Sequence, residues 1–315
     1  MTRPRVLVVS ASDTRFFPYL DAMLGSLKPS LDQDNVSLAV LDLGLSDADR
    51  AALAEHGARL AIPDAHLGVN AADHSPTLRS FLARPFLRDY FPGFDVYVWI
   101  DSDIWLQDQA VFQAYVDGAL HSGMAITHER EPGYRFQAWL LGWTTKHFLL
   151  GYGAATTAHL LTRRHLNAGF FAIRADAPHW QAWATRYQAA IARTGALVPH
   201  DQFALNHALY STPPLQTTFL NPSHNWICDR GIPMWNDDAQ AFCKPYPPHT
   251  PIGALHLAGP AKRTKYNIKR THGQTFSTYI LPGATPATPV MEPPLREDSK
   301  AGALPPRPHK DAGRP

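Results

Sequence analysis

Short continuous apolar runs alternate with stretches of helical spacing through the N-terminal third of the chain. Val6–Ser10 reads as a first buried strand, followed by apolar positions at Phe16, Leu20, Met23, Leu24 and Leu27 that predict a helix stopping at Lys28-Pro29. Val36–Leu41 predicts a second strand. Asp47 to His56 predicts a helix capped by Ser46 and closed at Gly57. Ala58–Ile62 is a third strand. Ser75 caps a predicted helix over Leu78–Tyr90 that Pro85 interrupts, and Val96–Ile100 is a fourth strand. Strands alternating with helices predict an α/β fold built on a mostly parallel sheet.

The pattern is weaker beyond this point. Glu129 to Arg164 follows no single period and is rich in Gly, Thr and aromatics, among them Tyr134, Phe136, Trp139, Trp143, Phe148 and Tyr152. These rings serve equally as a platform for a sugar face or as a cluster that anchors a loop to the core. A strand is expected at Ala168–Ile173, helices at Pro178–Arg193 and His200–Tyr210, loops over 211–253, and a last strand at Leu255–Leu257. From Pro282 to Pro315 there are nine prolines and few large apolar residues, the composition of a disordered tail. The expected organisation is one domain over 1–281 and a Pro-rich tail over 282–315.

The 315 residues, 45% hydrophobic, are enough for one large core. A formal charge of +2 gives no electrostatic case for nucleic acid. Cys228 and Cys243 lack C-x-x-C spacing, which fits a reducing compartment. No apolar run reaches the length of a membrane span or a signal-peptide core, so a cytoplasmic location is expected. One asymmetry stands out. Between Asp238 and Glu292 there is no acidic residue, while Lys244, Lys262, Arg263, Lys265, Lys269 and Arg270 fall inside that span. It reads either as a basic surface helix or as a site for an anion such as a diphosphate.

The strand VYVWI runs directly into Asp101-Ser102-Asp103. An isolated buried carboxylate is costly, so two of them at a strand end call for a positive partner. A D-x-D pair alone is most often a turn with solvated carboxylates. At the carboxyl end of a sheet strand, where α/β folds bind ligands, the pair can instead face one Mg²⁺ or Mn²⁺. HLAGPAK, from His256 to Lys262, could add an imidazole that favours Mn²⁺, a glycine that permits close backbone approach, and a lysine for phosphate oxygens, although His256 alone reads first as a core histidine and Lys262 alone as a solvated surface lysine. LNAGFFAI places Asn167 just before an apolar strand, and HDQFALN places Asp201 and Gln202 at the start of a short helix.

Taken in order, VVSASD, Arg84, IDSD, LNAGFFAI, HDQFALN and HLAGPAK resemble the GT-A glycosyltransferases, and family 8 most closely, over residues 5 to 270. The resemblance implies a Rossmann-like, mostly parallel sheet flanked by helices. It implies that Asp101, Asp103 and His256 bind the metal, that Ser10, Ala11 and Asp13 line the base and ribose, and that Gly259 and Lys262 meet the diphosphate. Arg84, Ser102, Asn167, Asp201 and Gln202 would surround the sugar, with Asp201 and Gln202 nearest the anomeric carbon. The implied reaction is Mn²⁺- or Mg²⁺-dependent hexose transfer from UDP-hexose to a glycan or glycolipid acceptor, with retention. Asp201 acting as a base would give inversion instead. Two departures are visible: no Asn-Tyr pair follows the first strand, and Arg263-Thr264 stands where the family carries Pro-Trp. The run Lys262 to Arg270 also suits a peripheral contact with the inner face of an anionic membrane. The rivals are a non-catalytic nucleotide-sugar or glycan binder of the same fold, a nucleotidyltransferase, which needs a Gly-rich loop that VVSASDTRFF lacks, and a phosphoesterase, which usually needs more ligands.

Overall fold

The computed structural model describes residues 3–64, 66–70, 73–195 and 201–296. Its N-terminal part contains β1 (Val6–Ser12), α1 (Phe17–Leu31), β2 (Val36–Asp42), α2 (Asp47–Glu55), β3 (Arg59–Ala61), α3 (Pro76–Ala83), α4 (Leu87–Tyr90) and β4 (Val96–Ile100). The centre contains β5 (Ile104–Leu106), α5 (Ala110–Ser122), β6 (Met124–His128), α6 (Ala138–Leu161), β7 (Leu166–Arg174), α7 (His179–Thr194) and α8 (Asp201–Leu209). Shorter strands follow: β8 (Thr218–Leu220), β9 (Trp226–Ile227), β10 (Met234–Asn236), β11 (Ala241–Cys243), β12 (Ala254–His256), β13 (Tyr266–Lys269) and β14 (Thr275–Thr278).

The central sheet has the order β3-β2-β1-β4-β7-β6-β8. Only β7 runs against the others, pairing antiparallel with both β4 and β6. Period-two alternation divides the core. Val6 and Val8 join α1 and α5 residues on one face, while Leu7 and Val9 join Trp180 and Trp183 of α7 on the other. Burial on both faces is why these strands read as unbroken apolar runs. Each fully buried aliphatic side chain contributes roughly 1.5–3 kcal/mol. A third cluster, with Trp105, Trp226 and Trp235, lies around the small sheet β5-β12-β9.

Ser46 caps α2 as its position predicts, in a reciprocal capping box with Asp49. Several expectations are corrected. α1 continues through Pro29 to Leu31, because the Asp32 N–H still reaches the Lys28 carbonyl at 2.9 Å beyond the proline. The middle segment is not irregular: it holds α6, which has a break in helical geometry at Gly153 (φ 78°). Its apolar residues fall all round the helix, so no single face marks it in the sequence. Residues 211–253 are not loops alone, since β8 to β11 lie there as strands of two or three residues between prolines. The basic run is not a surface helix: a 3₁₀ turn, Gly259–Arg263, leads into the hairpin β13–β14.

The N-terminal part of the proline-rich segment follows the domain surface. The Val290 N–H bonds Thr278 Oγ1 at 2.9 Å, and Arg296 pairs with Asp49 at 2.7 Å. Residues 297–315 and His200 lie outside the described residues. Among the described residues no helix is long and apolar enough to cross a membrane.

Candidate active site

The end of β4 fixes the two aspartates. The Asp101 N–H bonds the Gly169 carbonyl at 2.8 Å, which continues the β4–β7 ladder by one residue. The Ile104 N–H then bonds back to the Asp101 carbonyl at 2.9 Å, and β5 begins. In the β5–β12 ladder His256 stands opposite Ile104, one residue beyond Asp103. Register alone therefore carries a histidine more than 150 residues away to the aspartate pair. His256 Nε2 lies 3.6 Å from Asp103 Oδ1 and 3.9 Å from Asp101 Oδ2. Ligand atoms of all three residues fall within 4.8 Å of one another.

These spacings suit one ion, because two ligands on an octahedral cation of this size sit about 3 Å apart when adjacent and about 4 Å apart when opposite. Gly169 adds a second observation. A Cβ there would stand 2.6 Å from His256 Cε1 and 2.9 Å from both Asp101 Oδ2 and Asn167 Oδ1, so a side chain at this position would crowd two of the three ligands. Two hard oxygens and one imidazole nitrogen fit Mn²⁺ or Mg²⁺.

Lys262 reaches the same place from the 3₁₀ turn and pairs with Asp103 Oδ2. Burial works to raise the Asp103 pKa, yet the Lys262 ammonium and the His256 ring outweigh it and hold the carboxyl below its ordinary range.

A chain of amides orients the imidazole. Asn167 Oδ1 accepts the Gly169 backbone N–H and the Asn225 side-chain amide, both at 2.9 Å. That leaves Asn225 Oδ1 facing His256 Nδ1 at 3.0 Å. An oxygen only accepts, so Nδ1 carries a hydrogen, and Nε2 is the ring nitrogen turned toward the carboxylates.

Arg84 holds the other side. It is 4% exposed, lies over the rings of Trp99 (4.7 Å) and Phe81 (4.8 Å), and pairs with Asp101 and, at 2.8 Å, with Asp201. Burial opposes its charge, but the two carboxylates more than compensate and raise its pKa. Trp99 Nε1 donates to Asp101 Oδ1 at 2.7 Å. Asp201 is 2% exposed, and its second oxygen accepts the Gln202 N–H at 2.7 Å. The Gln202 side chain is also engaged: Oε1 accepts the Ala168 N–H (2.9 Å), while Nε2 meets His165 Nε2 (2.9 Å) and Glu129 Oε1 (3.2 Å). Glu129 in turn binds Asn167 at 2.8 Å and Arg230 at 2.6 Å.

The remaining predicted residues divide. Ser10 is fully buried and donates its hydroxyl to the Ile100 carbonyl at 2.7 Å, so its side chain locks β1 to β4. Ala11 is partly exposed at the end of β1, and Asp13 caps the turn into α1 by accepting the Phe16 N–H at 2.8 Å. Ser102 lines a small cavity with Tyr19, Asp103, Leu257 and Leu281. Gly259 holds φ at +59°, with open space where a Cβ would stand. Trp99, Gly169, Asn225, Glu129 and Arg230 also belong to the site, beyond the residues expected from the sequence. Only Gly169 carried a signal, as the glycine of the quoted LNAGFFAI motif.

No family model matches the chain, and no curated protein matches it. Solved structures do. The galactosyltransferase LgtC, crystallised with donor and acceptor sugar analogs, is 17% identical, with a TM-score of 0.50 over 81% of this chain and 88% of its own. The bifunctional glycosyltransferase WbbM is 16% identical, with a TM-score of 0.52 over 84% of this chain and 48% of its own. At such identities the likeness is one of fold. The chain thus has the GT-A fold that these two glycosyltransferases share.

Proposed function

We propose that this protein is a metal-dependent hexosyltransferase that moves a sugar from UDP-hexose to a hydroxyl of a glycan or glycolipid, with retention of configuration. The observation that carries the proposal is the convergence of Asp101, Asp103 and His256, with Lys262 beside them, at the end of β4. Asp101, Asp103 and His256 would hold Mn²⁺ or Mg²⁺, which supplies Lewis-acid neutralisation of the diphosphate leaving group when bound. Gly259 offers backbone to the diphosphate, and Lys262 offers charge. The strand end from Ser10 to Asp13 lies beside the base and ribose. Arg84, Ser102, Asn167, Asp201 and Gln202 shape the sugar site.

In the reaction the bond from the anomeric carbon to the diphosphate oxygen breaks, the acceptor oxygen takes its place on that carbon, and the acceptor's hydroxyl proton passes to the departing diphosphate oxygen. Asp201 is buried with both oxygens hydrogen-bonded, which favours an electrostatic role through Arg84 over proton abstraction from an acceptor.

A panel of nucleotide sugars tests the reading. One donor should give slow, Mn²⁺-dependent release of nucleoside diphosphate, lost in Asp101→Ala and Asp103→Ala variants that keep their circular dichroism spectra. Donor binding without turnover by any acceptor would leave a binding protein. Full turnover by either variant in chelator would refute the site.

A further inference from the structure

α6 leaves much of its apolar side chain at the surface. Of the eleven large hydrophobic residues exposed among the described residues, six lie between positions 136 and 150: Phe136, Trp139, Leu141, Trp143, Leu149 and Leu150. Phe136 is 80% exposed and Trp139 55%. Trp139, Trp143, Lys146 and Leu150 are spaced i, i+4, i+7, i+11 and share one flank of the helix. Thr144, Phe148 and Gly151 are buried on the opposite side. A cluster of this kind marks an interaction surface.

Charge selects the partner. From Pro132 to His200 Asp176 is the only acidic residue, against seven lysines and arginines. Asp176 is paired with Arg174 at 2.5 Å, and the next carboxylate, Asp201, is buried. α7 packs along α6 and brings the Arg193 guanidinium to it, whose Nε donates to the Leu150 carbonyl at 3.0 Å. Tryptophan and leucine beside basic residues, in a stretch of 69 residues with a single, paired carboxylate, is the composition of a helix that lies in a lipid headgroup layer.

We propose that the exposed face of α6 docks on an anionic lipid bilayer. The face adjoins the candidate site: the Trp143 ring is 5.2 Å from that of Phe203, the neighbour of Gln202. If the glycosyl-transfer reading holds, on which this step rests, the acceptor hydroxyl belongs to a lipid-linked molecule presented at that bilayer. The basic run Lys262–Arg270 is less suited, because Lys262 is held by Asp103 and Arg270 by Asp237 at 2.6 Å.

Sedimentation of the full chain with vesicles tests the proposal. The protein should pellet with vesicles containing phosphatidylglycerol and not with phosphatidylcholine alone, and salt should weaken the association. The double variant Trp139→Ala/Trp143→Ala should lower the partition coefficient about tenfold or more, and Lys146→Glu about fivefold, while Lys265→Glu/Lys269→Glu changes little. Melting temperatures report whether each variant is folded. Absence of vesicle binding by the wild type overturns the proposal. So does a loss confined to the Lys265/Lys269 variant, or a solution dimer that the double tryptophan variant dissolves. None of these readouts needs a sugar nucleotide. Vesicle binding without donor turnover would therefore sink the transferase reading alone, and turnover without vesicle binding would sink only this one.

Discussion

The Lys262 ammonium rests on Asp103 Oδ2, the carboxylate that also stands 3.6 Å from His256. It answers the need for a positive charge that two carboxylates at a strand end create. It also means that Lys262 and a divalent cation compete for Asp103 before any donor arrives. Lys262→Ala should therefore have two effects of opposite sign. Mn²⁺ alone should bind up to about tenfold tighter, since a charge-assisted bond worth about 1.5 kcal/mol no longer has to be displaced. Binding of a nucleoside diphosphate in the presence of Mn²⁺ should weaken by at least a similar factor. Titration calorimetry measures both, and a loss of Mn²⁺ affinity in the variant would contradict the competition.

Gly169 is the tightest point of the site. An alanine there puts its methyl 2.6 Å from His256 Cε1 and 2.9 Å from both Asn167 Oδ1 and Asp101 Oδ2. All three neighbours are anchored, so the strain cannot relax into one flexible side chain. Gly169→Ala should cost about 1–3 kcal/mol in stability and abolish detectable Mn²⁺ binding while the protein still folds. A variant with wild-type Mn²⁺ affinity would show that His256 and Asp101 do not bind the ion in the positions seen here.

The frame of this site was legible where the physics is local. Val6–Val9 and Val96–Ile100 are buried on both faces, so each reads as an unbroken apolar run, and Ser46 caps α2 through atoms three residues apart. Asp101 and Asp103 were visible because carboxylates seldom end a buried strand. What escaped depends on contacts distant in sequence. The place of Asn225 follows from a hydrogen bond to Asn167, 58 residues earlier, and nothing in PSHNW announces it. Glu129 and Arg230 find each other across 101 residues. α6 failed for another reason: a helix that buries one side and exposes apolar residues on both flanks has no polar face to set its period.

Asn225 should act on the metal without touching it. Its carbonyl oxygen faces the Nδ1 hydrogen of His256, and its own amide is fixed by Asn167. Asn225→Leu removes the acceptor and frees the ring to turn or to change tautomer. Mn²⁺ affinity should fall about 10–100-fold, the usual effect of removing a partner that orients a ligand. Asn225→Asp keeps the acceptor and should retain most of the affinity. Nitrogen chemical shifts of the His256 ring supply the independent readout. They should report a hydrogen on Nδ1 in the wild type and in Asn225→Asp, and a mixture of tautomers in Asn225→Leu. Unchanged shifts in the leucine variant would remove Asn225 from the site's machinery.

Asp201 makes a prediction about pH whose sign is opposite to that of an ordinary ion-paired aspartate. Burial raises its pKa from 3.8 to about 6, against the pull of Arg84 and the Gln202 N–H. The unfolded chain releases this proton near pH 4 and the folded protein releases it near pH 6. Between those values the folded state binds more protons than the unfolded state. The stability contributed by Asp201 is therefore fully present below about pH 4 and is lost as pH rises through about 6. Asp201→Asn mimics the protonated form at every pH. The melting temperature of the wild type minus that of the variant should fall by several degrees between about pH 4 and pH 6 and then level off, at about 2–4 °C per kcal/mol. A difference that instead stays level between about pH 4 and pH 6 and falls only as pH drops below about 4 would make Asp201 a conventional carboxylate partner of Arg84, with a depressed pKa. The carboxylate would then be ionised throughout the pH range in which Arg84 must hold Asp101.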